Sequence, residues 1–127
     1  MKFLCLICAE KVMEQMQPAD SEKHFAEYVE YTEKIHRSGH YISCNRLLPP
    51  DSATTVRVRN GKISTTDGPW VETKEQFGGY YLIQAHDLNE AIRIAAGIPG
   101  ASRGCVEVRP VADDAPTRQI LAAGGMQ

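Results

Sequence analysis

The run Thr54-Thr55-Val56-Arg57-Val58-Arg59-Asn60-Gly61-Lys62-Ile63-Ser64-Thr65-Thr66 alternates polar and apolar residues on both sides of Asn60-Gly61. Period-two alternation marks strands, and Asn-Gly is the favoured two-residue hairpin turn because both turn positions need a positive φ. A hairpin therefore stands near the middle of the 127-residue chain. On either side of it the patterns repeat in the same order: strand, helix, strand.

Before the hairpin, residues 2–9 read as a short buried strand. They do not suit the apolar region of a signal peptide, since a single Lys2 precedes the run and Glu10-Lys11 follow at once. Residues 10–19 are a mixed loop, after which Asp20 or Ser21 can cap a helix. Phe25, Tyr28, Val29, Thr32 and Ile35 recur at spacings of three and four, which makes one apolar helical face over 21–38, closed by Gly39. Residues 40–48 read as a second strand, broken by Pro49-Pro50-Asp51.

After the hairpin, residues 67–79 form a loop rich in carboxylates and glycine, and Tyr80 to Ala85 make the next strand. Asp87-Leu88-Asn89-Glu90 is a capping box. Leu88, Ala91, Ile92, Ala95 and Ala96 follow as an amphipathic helix stopped by Gly97, and residues 103–110 form the last strand. Two strand–helix–strand halves predict an α+β fold of the ferredoxin-like, dimeric α/β-barrel type: an antiparallel sheet, two helices on one face, and an inserted β-hairpin. The domain spans residues 1–111, and 112–127 read as a tail that is loosely ordered unless a partner holds it. One face of such a sheet is left bare, and a second copy related by a two-fold axis is its simplest cover, so a homodimer is expected.

Composition bounds the function. Hydrophobic residues are 43% and charged residues 24% of the chain, close to a globular average. With 14 basic against 16 acidic residues, a nucleic-acid binder working through bulk positive charge is excluded. No apolar run has the roughly 20 residues of a membrane helix. Cys5 and Cys8 form a C-x-x-C, but on a strand residues three apart point to opposite faces, and Cys44 and Cys105 are isolated. Free thiols fit a reducing, cytoplasmic setting. His24, His36, His40 and His86 have no tight ligand spacing, so neither a metal nor a cofactor is expected.

The segment Asp67-Gly68-Pro69-Trp70, with Glu72-Thr73-Lys74-Glu75 and Gly78-Gly79-Tyr80-Tyr81-Leu82-Ile83, resembles the YCII-related proteins of the DGPF subgroup. The likeness extends to Pro49-Pro50, Thr55-Val56-Arg57-Val58, Asp87-Leu88, Ile98-Pro99 and Val106-Glu107-Val108-Arg109-Pro110. Trp70 stands where the subgroup has Phe. The resemblance implies a dimeric ferredoxin-like fold and, for some members, association with sigma factors. It also implies a candidate role for His24, which lies near the start of the first helix as a histidine of the wider group does, although the helix after it is longer here.

The loop is held at both ends by the scaffold, which is where sites tend to form. Asp67, Glu72 and Glu75 supply carboxylates that can act as bases when crowded or buried, and Lys74 supplies a cation for an anionic group. Arg57, Trp70 and Tyr80 are candidate ligand contacts. The same residues have structural alternatives: an Asx-turn at Asp67, salt bridges across the dimer, a bulge or close approach at Gly78-Gly79, and solvated or core positions for Arg57, Trp70 and Tyr80. Two functions follow as expectations. One is a dimeric module that binds a small molecule or regulates a partner such as a sigma factor. The other is an acid–base enzyme acting on a small polar organic molecule, with Asp67 as base, Lys74 as electrostatic partner and His24 as a further catalytic candidate.

Overall fold

The structure, a computed structural model, describes residues 1–10 and 16–125. Alternation along β1 (Lys2–Glu10) buries Phe3, Cys5 and Ile7 on one face and leaves Leu4, Leu6 and Cys8 half-covered on the other. The remaining elements are α1 (Pro18–Arg37), β2 (Tyr41–Arg46), β3 (Thr54–Arg59), β4 (Lys62–Asp67), β5 (Glu75–Gln84), α2 (Leu88–Ala96), β6 (Cys105–Pro110) and α3 (Ala115–Ala123). Four strands form one sheet in the order β2-β5-β1-β6, and every neighbouring pair is antiparallel. This is the ferredoxin-like α+β arrangement expected from the two strand–helix–strand halves.

Both helices lie on the same face of the sheet. Phe3, Cys5, Ile7, Tyr81 and Ile83 of the strands share one core with Tyr31 and Ile35 of α1 and Ala91 and Ala95 of α2. The Tyr31 hydroxyl donates to the Ile94 carbonyl at 2.7 Å and ties the helices together. Burial pushes the Tyr31 phenol well above its ordinary range, so it remains a donor. On α2 the buried stripe is Ala91 and Ala95, while Leu88 and Ile92 of the expected face stay exposed. No helix among the described residues is long and apolar enough to cross a membrane.

The strands β3 and β4 pair only with each other, with Val58 opposite Ile63 and Arg59 opposite Lys62. Asn60 and Gly61 have φ of 53° and 74°, the positive values the turn requires. One face of this arm carries Val56, Val58 and Ile63, all exposed; the other carries Arg57, Arg59 and Lys62.

Several boundaries differ from the sequence reading. Helix α1 begins at Pro18, not 21, and its cap position is Gln17 with no side-chain bond. Proline suits the first helical position because its missing N–H would be unpaired there anyway; Asp20 thus sits inside the first turn and neither it nor Ser21 caps. β2 stops at Arg46, two residues short of the expected end, where the Leu47 N–H bonds to the Gly78 carbonyl as the chain leaves the sheet. β5 begins at Glu75, so the loop is 68–74 and not 67–79. The glycines do not stop the strand. Ile7 and Cys8 face Gly79 and Phe77, which leaves Gly78 as a bulge, and a Cβ at Gly79 would lie 2.7 Å from the Asn45 carbonyl oxygen. The last strand begins at Cys105. The region expected to be a loosely ordered tail carries α3, capped by the Asp114 side chain, which accepts from the Thr117 N–H at 2.9 Å.

The capping box is displaced by one residue on its return arm. Asp87 accepts from the Glu90 N–H at 2.9 Å, and Glu90 reaches back to the His86 N–H at 3.1 Å. That N–H, and His40 beside it, hold the Glu90 carboxyl below the usual range. Asp87→Ala is expected to cost about 1 kcal/mol, seen as a lower urea midpoint with an unchanged slope; an unmoved midpoint would show that the cap bond contributes nothing.

Candidate functional site

The early departure of β2 creates the main cavity. Among the described residues nothing beyond Arg46 pairs with the Gln76–Gly78 edge of β5 on that side except Leu47, and the chain swings out through Leu47-Leu48-Pro49-Pro50. A cleft of about 700 Å³ opens between this segment, the first half of α1 and the bulged end of β5. Its size falls within the roughly 300–1,000 Å³ of small-molecule sites.

The lining is mainly apolar and aromatic: Phe25 and Val29 from α1, Leu47, Phe77, Tyr28 and Tyr81. Tyr28 and Tyr81 lie parallel with centroids 6.4 Å apart. The Thr32 hydroxyl donates to the Tyr28 carbonyl at 2.7 Å, so the contact of 2.6 Å between Thr32 and Tyr81 is a bond donated by the Tyr81 phenol. Burial raises the pKa of both tyrosines, and the Thr32 bond partly offsets this at Tyr81.

Two nitrogen groups border this apolar surface. The Arg46 guanidinium stands over the Phe25 ring, 5.0 Å from its centroid, a cation–π contact. Among the described residues Arg46 makes no ion pair. His24 packs edge-on against Tyr28 and lies 2.7 Å through Nδ1 from the Arg103 guanidinium. A guanidinium only donates, so Nδ1 accepts and the ring proton is on Nε2. Burial lowers the His24 pKa, and the Arg103 charge lowers it further, with Glu27 opposing; the ring is neutral at pH 7.

Of the residues singled out in the sequence, His24 and Tyr80 line this cleft. Tyr80 accepts a bond of 2.9 Å from the Asn45 amide. Asp67, Trp70, Glu72 and Lys74 are exposed and lie outside it, and Arg57 is on the hairpin arm. The Asp67 carboxylate takes no hydrogen bond among the described residues, so the Asx-turn alternative is also not formed. The loop is held by other groups: the Gly68 N–H on the Ala53 carbonyl, the Thr55 hydroxyl on the Gly68 carbonyl, and the Gln76 amide on the Val71 carbonyl.

Glu75 meets a thiol instead. The exposed Cys105 donates to its carboxylate at 3.2 Å, which pushes the thiol pKa up to about 11. Cys8 lies directly opposite Cys105 on the bare face, while Cys5 is buried under the helices with its pKa also raised to about 11. The C-x-x-C pair is thus split between faces, as strand geometry requires. Among the described residues no three His, Cys, Asp or Glu side chains are arranged to hold a metal.

Phe25, Val29, Arg46 and Leu47 were not legible as site residues. The spacing puts Phe25 and Val29 on the apolar face of the first helix, yet both are about half exposed, at 48% and 58%. A signal did exist: the apolar stripe of α1 is wider than one buried row, and an apolar Leu-Leu-Pro-Pro run follows β2. What α1 packs against at each turn could not be known without the strand lengths.

A family model described as YCII-related domain matches residues 1–114. The chain is also similar to an uncharacterised protein of Rhizobium meliloti (strain 1021), 45% identical over 69 residues, which are 53% of this chain and 56% of that protein. The match thus spans about half the length of that curated relative.

Proposed function

This chain belongs to the YCII-related family, and on that premise we propose that it is a homodimeric module that binds a small, largely apolar molecule between α1 and the free edge of β5. The observation that carries the reading is the cleft itself: about 700 Å³ of space whose walls keep Phe25, Val29, Leu47 and Phe77 partly in water. Exposed apolar surface of that kind is costly to maintain and marks binding sites.

The homodimer rests on the other face of the sheet. Leu6 is flanked by Tyr80 of β5, and Leu4 by Leu82, with Glu107 and Arg109 of β6 forming an ion pair at the side. Leu4, Leu6, Tyr80 and Leu82 stay half-covered on the face turned away from α1 and α2, and an apolar centre with a charged rim suits a self-complementary interface. The link to a sigma factor stands on the sequence resemblance alone. An acid–base enzyme with Asp67 as base would need that carboxylate beside a cavity, and its exposed place at the end of β4 lends the idea no support.

Titration with Nile red, a neutral dye that brightens in apolar surroundings, tests the cleft. The protein is expected to bind it, and Val29→Asp to weaken binding at least about tenfold, the effect of about 1.4 kcal/mol. Val29 is exposed, so the variant keeps its fold and its circular dichroism. Equal binding by both proteins, or none by either, would overturn the reading.

A further inference from the structure

We infer that the cleft selects a carboxylate with an aromatic body over its neutral counterpart. This rests on the cleft being a ligand site, and the unmatched polar groups along its wall supply the argument. They are donors. Arg46 brings a guanidinium with no carboxylate partner among the described residues. His24, its Nδ1 taken by Arg103, brings an Nε2–H. The Tyr28 oxygen accepts from the Gly100 N–H at 3.1 Å, and its own hydrogen has no acceptor among the described residues. Two acceptors beside them are already used: the Thr32 oxygen takes the Tyr81 hydrogen, and the Tyr28 carbonyl takes that of Thr32.

Donors that include an unpaired guanidinium call for a ligand end that only accepts and carries one negative charge. A carboxylate is that group, and a planar guanidinium can take both of its oxygens. A phosphate monoester, near two charges at pH 7, would leave one of them uncompensated. Glu33 is the carboxylate among the lining side chains, and it makes no ion pair with Arg46, whose guanidinium stands over the Phe25 ring. The rest of the wall selects the body of the ligand. Phe25, Phe77 and the stacked Tyr28 and Tyr81 offer ring faces and edges, which favour an aromatic molecule. Arg46 is held over the Phe25 ring before any ligand arrives, so little ordering remains to be done on binding.

The test compares 2-naphthoate with 2-naphthalenemethanol, which share a ring system and differ in charge, by calorimetric titration of the full chain. The acid is expected to bind at least about tenfold more tightly, with the advantage shrinking as salt is raised. Arg46→Gln is expected to abolish the advantage, with an unchanged circular dichroism spectrum showing that the variant is folded. Arg57→Gln, on the exposed arm, is expected to keep it. If acid and alcohol bind equally, or Arg46→Gln keeps the preference, the inference falls while the apolar cleft stands. If neither compound binds and Nile red also fails, the cleft reading falls with it.

Discussion

Leu6→Asp is expected to turn a two-chain particle into a single 14.1 kDa chain. Leu6 is in the middle of β1, with Tyr80 on one side and Glu107 on the other, on the face turned away from α1 and α2. If that face meets its copy through a two-fold axis, each substitution acts twice. Two apolar contacts are lost, and two carboxylates are placed in the interface without partners, beside Glu107. A buried unpaired charge costs about 3–5 kcal/mol, so the dissociation constant is expected to rise by more than about 100-fold. The single chain should stay folded, because Leu6 is not part of the helix-side core. Light scattering at micromolar concentration reads the outcome directly. A wild-type protein that already runs as one chain, or a variant that still runs as two, would refute the face-to-face dimer.

Phe3→Ala is expected to act on the chain itself. Phe3 is 1% exposed and lies on the helix side of β1 within the central cluster. Removing its ring leaves a cavity among Ile83, Ile35 and their neighbours, which rigid strands cannot close, at a cost of about 3–5 kcal/mol. That is a large part of the roughly 5–15 kcal/mol that holds a domain folded, and the melting temperature should fall by about 10 °C or more. The contrast is Leu4→Ala, one residue along on the bare face, which should lower dimer affinity far more than single-chain stability. Similar losses of single-chain stability at the two positions would mean that the faces of β1 are not used as described.

Much of this architecture was readable in the residues because it depends on neighbours along the chain. The Asn60-Gly61 turn, the short apolar run of β1, the Asp87 cap and the periodicity of α1 are local patterns, and each became the element it foretold. The split of Cys5 and Cys8 between faces follows from the two-residue period of a strand. Errors gathered where a local signal had a distant answer. The sequence places Gly78-Gly79 in the loop, with a bulge or close approach as the alternative, and the alternative is what forms, because β1 and β2 pair with β5 through them. The acidic segment from Asp67 to Lys74 drew attention by composition, yet the structure leaves those side chains in water and away from the cleft.

The order of strands and helices, the two-layer fold and the hairpin arm were written in spacing and turn chemistry, since hydrogen bonds and burial impose fixed periods on a chain. The cleft was not. Its walls come from residues as far apart in sequence as His24, Arg46 and Tyr81, and it exists because β2 stops pairing with β5 at Arg46, leaving the first half of α1 facing the bulged end of β5 across open space. Whether Phe25 and Val29 are core or cavity wall is decided by what stands opposite them, and that depends on where distant segments stop pairing in space.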